Sequence, residues 1–371
     1  MEYLKYCQTY IKGTGLASNS SLFRNILAKY FFLPPCFLII AFSIHELWDT
    51  NNNDVSLVTE VLECVASYTQ LIIRKYIVFT QSDLMVEIIN DCGKLWPFDM
   101  FGSELGKKFK QQMKTCWTLV KFLVVCGFAT FFLMCISARA AERDNSLPFL
   151  CWVPDFPYAT ELLFFLQFML LLELLYYVLA TDAFYILICM DIQIQFEMMG
   201  KMLKSIKFGE ISEKECWDKL VELAKQHDRM LKLHQKLNQV YSKYYVVQYF
   251  MTVGSMTVQA YNLKYRMVNI QTALKSIVYT FSLMFQCGYY FFPASNIEIE
   301  AENFSTEIYF LNWQNIGNIK IRKHILFMLM KSQENLAMMG EGMVHVNRNE
   351  CLMMFRLAFT IATLLDGLNQ V

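Results

Sequence analysis

LLFFLQFMLLLELLYYVLATDAFYILICM, residues 162–190, decides the fold class. About 20 apolar residues cross a bilayer, so this stretch is longer than one crossing needs, and it carries two carboxylates, Glu173 and Asp182. We read a tilted membrane helix that continues past the bilayer on its polar end. Ionised groups at bilayer depth are costly and turn toward a cavity or a basic partner. Asp182 lies far enough beyond Glu173 to be expected near the inner headgroups. Arg74 and Lys75 fall toward the inner end of another apolar run, where long side chains are expected to reach headgroups.

Working outward, residues 117–138, 244–263 and 276–294 are apolar with few or no charges, and residues 31–48, 57–81 and 350–368 are shorter or interrupted. Together these make seven spans. Composition agrees: 55% of the 371 residues are hydrophobic and only 18% are charged, a balance too apolar for most soluble domains. Equal numbers of acidic and basic residues, 33 of each, argue against a nucleic-acid surface. No secretory leader is read in MEYLKYCQTYI, residues 1–11, so the first span is expected to act as its own targeting signal.

Orientation follows from where Lys and Arg sit. Segments 1–30, 84–115, 197–243 and 294–335 hold 23 basic residues, whereas 45–56, 139–161, 264–275 and 366–371 hold 5. The N-terminus is therefore expected in the cytoplasm and the C-terminus outside. Two glycosylation tripeptides, at Asn19 and Asn303, fall on the side read as cytoplasmic; such tripeptides often arise by chance. Cysteines at 36, 126, 135, 189, 287 and 351 lie in apolar runs as small fillers, and only Cys151 is placed in an outer loop.

Within the basic segments, Ser212 and Glu215 form a capping box opening a long helix over 212–243. Trp217, Leu220, Val221, Ala224, Leu231, Val240 and Tyr241 follow a helical stripe along it. That face packs either on its own chain or on another subunit. A second helix, IRKHILFMLM at 321–330, shows no break until Gly340 and Gly342.

Enzyme chemistry finds no footing. The five histidines never take the i, i+4 spacing of a helical zinc site, and neither a phosphate-cradling glycine loop nor a nucleophile turn is present. No metal, cofactor or catalytic residue is assigned.

The final span carries Leu357, Ile361, Leu364 and Leu368 on one face. Such a stripe either packs against neighbouring helices or, in several copies around an axis, forms stacked apolar rings that gate ions by dewetting. The outer halves of the middle spans hold Tyr68, Phe131, Phe132, Phe164, Phe168, Tyr176 and Tyr261, with Ile72 and Leu172 among them. These either wall a small apolar pocket or serve helix packing and interfacial belts.

From Phe285 the chain reads FQCGYYFFPASNIEIEAENFSTEIYFLNW, then IRKHILFMLMKSQENLAMMGEGMVHVNRNECLMMFRLAFTIATLL. This resembles the sixth and seventh spans of insect odorant receptors. Its features come in that order: Cys-Gly, an aromatic run ending at Trp313, a basic helix, the Ser332-Gln333 turn, a break at Gly340, and a last helix ending Thr-Leu-Leu. Related gustatory receptors carry Thr-Tyr and Gln-Phe in the last span, where this chain has Thr360-Ile361 and Gly367-Leu368.

The resemblance implies an all-α integral membrane protein with seven transmembrane helices, a cytoplasmic N-terminus and a cytoplasmic helical anchor region. Residues 1–30 would be the N-terminal segment and 31–292 spans one to six, with the ligand pocket in the outer half and the cytoplasmic extension 197–243. Residues 293–340 would be the anchor segment and 341–371 the pore-lining last span. It further implies a non-selective cation channel in the plasma membrane of a sensory dendrite. There, a small volatile odorant fills the aromatic pocket, odorant receptor coreceptor subunits complete a tetramer, and a gate forms at the positions of Leu364 and Leu368. The alternative is a G-protein-coupled seven-helix chemoreceptor, which requires the opposite orientation.

Overall fold

The computed structural model describes residues 2–13, 33–49, 55–140, 147–208, 211–265, 270–313 and 316–369. They form α1 (Glu2–Gly13), α2 (Leu33–Asp49), α3 (Val55–Cys92), α4 (Ser103–Ala140), α5 (Ala159–Lys204), α6 (Glu213–Tyr265), α7 (Ile270–Tyr309), α8 (Ile319–Ser332) and α9 (Arg348–Asn369). Between α8 and α9 lies an antiparallel hairpin of β1 (Met339–Gly340) and β2 (Val344–His345).

At 1.5 Å rise per residue, the 53-residue α6 is about 80 Å long, against a hydrocarbon core of about 30 Å. The long helices therefore run well beyond any bilayer. Among the described residues, α5 alone is long and apolar enough to cross a membrane by length and composition.

α5 and α6 form the centre. α5 packs against α3, α4, α6 and α7, and α6 packs against α3, α7 and α9. The Ser212 arm of the capping box is present, with the Glu215 amide donating to Ser212 Oγ at 3.2 Å, while the Glu215 carboxylate pairs with Lys219 at 2.9 Å. The helix it opens continues without a break into the apolar run 244–263. Leu220, Leu223, Met230, Leu233, Leu237, Val240, Tyr241 and Tyr244 are buried at helical spacing, so this stripe packs on its own chain. Trp217, at the start of the stripe, is instead 37% exposed.

Two apolar cores share α5. The larger one takes its lower half from Ala183 to Leu203 together with α1, α6 and α7. The smaller one takes Leu163, Leu170, Leu171 and Tyr177 from its upper half, with residues of α2, α3 and α4. The boundary between the domains expected at 292 and 293 falls inside α7, beside the intrahelical Pro293.

α8 corrects the expected unbroken helix over 321–339. It ends at Ser332, whose Oγ donates back to the Leu329 carbonyl at 2.9 Å and lies within hydrogen-bond reach of Ser305 Oγ at 3.1 Å. Beyond it, the chain is captured by α6: the Met339 amide donates to Asn238 Oδ1 at 2.8 Å, and the Glu341 amide donates to Ser242 Oγ at 2.8 Å. Side-chain partners fixed on another helix outcompete further helical turns for these amides.

Candidate ligand site and pore helix

The smaller core is built from residues of α2 to α5. Seven of the nine pocket residues expected from the sequence meet in it. Tyr68 and Phe131 are buried, and Ile72, Phe164, Phe168, Leu172 and Tyr176 pack around them. Phe131 lies 5.1 Å from Phe168, ring to ring. Phe132 is 55% exposed, with its ring 5.4 Å from that of Phe131. Tyr261 lies on α6, but its side chain is outside the described residues.

Sequence reading missed the segment that closes this core. Leu147, Phe149 and Cys151 precede α5 in the chain and are buried inside the cluster. Gln167, fully buried, holds the segment: its Oε1 accepts from the Phe149 amide at 2.9 Å, and its Nε2 donates to the Phe149 carbonyl at 3.1 Å. Ser43 Oγ donates to the Leu150 carbonyl at 3.0 Å, and the Trp152 amide donates to the Phe42 carbonyl at 3.1 Å. Cys151, read from the sequence as lying in an outer loop, sits in this non-helical connection with its side chain buried. The available signal was the apolar run LPFLCWV at 147–153, too greasy for a solvated connection.

Beneath the aromatic cluster lies a charged layer. Arg74 and Lys75, expected to reach headgroups, do not; both are buried. Arg74 pairs with Asp182 at 3.2 Å, and Lys75 pairs with Glu173 at 2.6 Å. Asp182 is therefore buried in protein and not at the headgroups. Tyr289 and Tyr290 donate to its carboxylate, as does Thr181 Oγ. Arg74 also donates to the Tyr244 hydroxyl at 2.7 Å, which passes the hydrogen bond to Gln248 Oε1 and on from Gln248 Nε2 to Thr252. Desolvating an ion pair is expensive unless the remaining donors and acceptors are satisfied, and the tyrosines serve that need for the Asp182 carboxylate. The layer ties α3, α5, α6 and α7 together where the two cores meet.

α9 packs its Cys351, Met354, Ala358 and Ala362 face on the bundle. Thr257 Oγ1 on α6 reaches the Ala358 carbonyl at 3.3 Å. Of the expected gate stripe, Ile361 packs against the bundle, whereas Leu357 and Leu364 are 41% and 63% exposed. The side chain of Leu368 lies outside the described residues.

With this geometry in view, the comparisons decide the family. The family model described as 7tm Odorant receptor matches residues 54–359. The chain belongs to the odorant receptor family. Receptors of this family are not enzymes, and the chain is accordingly a multi-pass membrane protein of olfaction. Its fold is that of the insect olfactory receptor OR5 from Machilis hrabei, at a TM-score of 0.76 and 12% identity over 98% of this chain and 97% of that one. The same receptor in complex with eugenol gives a TM-score of 0.77 at 12% identity, covering 99% and 98%. No curated protein matches this odorant receptor by sequence.

Proposed function

We propose that this odorant receptor binds a small volatile in the aromatic cluster of α3, α4 and α5 and thereby opens a cation pathway lined by α9. The observation that carries this reading is the separation of a closed outer core from an α9 face left open. Leu364 is an apolar side chain 63% exposed on a helix whose other face is packed. Copies of that face around an axis would bury one another, and a ring of leucines excludes water and ions until it widens.

A receptor of the same fold has been solved with eugenol, and we carry over to this chain a small volatile ligand of comparable size. Tyr68, Ile72, Phe131, Phe164, Phe168, Leu172 and Tyr176 are assigned to the pocket, with Phe132 and Tyr261 at its margin. Leu364 and Leu368 are assigned to the gate. The basic segments support a cytoplasmic N-terminus, and in this reading coreceptor subunits complete a tetramer in the plasma membrane. Opening follows only if the ligand binds the open state more tightly than the closed one. The charged layer supplies a mechanical route, because it joins the pocket helices to α6, on which α9 rests.

Whole-cell current from cells expressing the chain with and without an insect coreceptor, under a panel of volatiles, tests this. Rapid odorant-evoked cation current that needs the coreceptor and no G protein is the expected result. A G-protein-dependent response, with the N-terminus labelled from outside, would overturn it in favour of the G-protein-coupled alternative.

A further inference from the structure

Tyr68 stands out within the outer core because its phenol is wholly buried and its hydroxyl has no hydrogen-bond partner among the described residues. Burying a hydroxyl without a partner is costly, and Gln167, Ser43 and Cys151 in the same region have partners of their own. Gln167 is engaged with both the amide and the carbonyl of Phe149. Ser43 is bonded to the Leu150 carbonyl and lies 3.2 Å from the Cys64 thiol. Cys151 accepts from Gln167 at 3.4 Å.

The surroundings of Tyr68 are soft and apolar. Cys64, Cys36, Cys151 and Cys135 share its core, and Phe149 meets its ring edge-on at 5.5 Å. Thiols are weak hydrogen-bonding groups, so none replaces a carbonyl or ether oxygen as an acceptor. The phenol O–H is thus a strong donor left idle inside a site lined by rings.

We propose that Tyr68 is the specificity-determining residue of this receptor, donating its hydrogen bond to an oxygen acceptor on the odorant. The ligand class is then small ketones, aldehydes, esters or ethers, in preference to hydrocarbons of the same shape. This rests on the pocket assignment above and deepens it. A site built to satisfy a buried polar group discriminates strongly against a guest that leaves the group unpaired, whereas apolar walls distinguish isosteres poorly.

The test uses matched probes on cells co-expressing the chain and an insect coreceptor: acetophenone against α-methylstyrene, and 2-heptanone against 2-methyl-1-heptene, in each of which a carbonyl is replaced by a methylidene. The wild type is expected to respond to the ketones at lower concentration. Tyr68→Phe removes only the hydroxyl; it should raise the half-maximal ketone concentration roughly three- to tenfold and leave the alkenes unmoved.

Because the hydroxyl has no partner among the described residues, purified Tyr68→Phe should melt at or above the wild-type temperature. A purely structural role would lower it. Phe168→Ala separates the two ideas. If it shifts the responses but Tyr68→Phe does not distinguish ketone from alkene, the acceptor assignment falls and the pocket stands. If both variants leave every response unchanged, the pocket assignment falls as well. A wild type silent to both ketones also overturns the inference.

Discussion

Arg74 and Asp182, 108 positions apart in the chain, face each other at 3.2 Å with side chains 0% and 3% exposed. Their pairing sets the first prediction. Asp182→Asn leaves the guanidinium buried without its counter-charge, and one-sided loss of such a pair costs about 3–5 kcal/mol. The variant should reach the cell surface poorly and melt well below the wild type. A paired apolar replacement of both residues should recover much of the loss. An Asp182→Asn protein as stable as the wild type would show that the tyrosines alone hold Arg74.

Leu364 on α9 provides a functional prediction. Replacement by Ser should raise the current measured without odorant, because a polar ring holds water where a leucine ring excludes it. The same is expected for Leu368→Ser. Silent, normally gated channels from both variants would remove these residues from the gate.

Gly340 is the tightest point of the hairpin. A Cβ there would meet Tyr245 Cβ at 3.0 Å, Val246 Cγ2 at 3.1 Å and the Val246 amide nitrogen at 3.2 Å. Part of that contact is backbone and cannot yield, so Gly340→Ala should displace the hairpin from α6. The expected cost is about 1–3 kcal/mol, typical of overpacking, read as a lower melting temperature.

Asn238→Ala should have a local effect. It removes the acceptor of the Met339 amide, a bond worth about 0.5–1.5 kcal/mol net. Hydrogen exchange should quicken through residues 336–345, which precede α9, and stay unchanged in α4. Equal exchange in variant and wild type would mean that Ser242 alone holds the hairpin.

His227 and His234 lie on α6 below the run read as membrane-spanning, and burial depresses both to about 4 from the ordinary 6.5. The folded chain therefore holds them neutral. Their contribution to stability is fully present above about pH 6.5 and is lost as pH falls from there toward 4, where the unfolded chain takes up protons first. Melting temperature in detergent should be flat between pH 7 and 8 and decline through that lower window. Replacing both histidines with Gln should flatten the decline; an unchanged slope would assign it to carboxylates.

Local chemistry was legible in the sequence. Apolar runs, the Ser212 cap and the stripe of α9 depend on residues within a turn or two of one another, and they can be read without knowing any neighbour. The membrane class, the long helices and the family followed from such signals. Seven of the nine expected pocket residues share one core because outer-half aromatics on adjacent spans have little choice but to meet.

Tertiary structure alone decided the partners. Asp182 belongs with Arg74 and with Tyr289 and Tyr290 on α7, and nothing near it in the chain says so. α8 stops at Ser332 because Asn238 and Ser242, on another helix, claim the amides beyond it. The run 147–153 folds inward because Gln167 satisfies the backbone of Phe149. In each case the energy lies in pairing a buried polar group. That energy depends on which distant side chain is within about 3 Å, a distance that only the packed bundle sets.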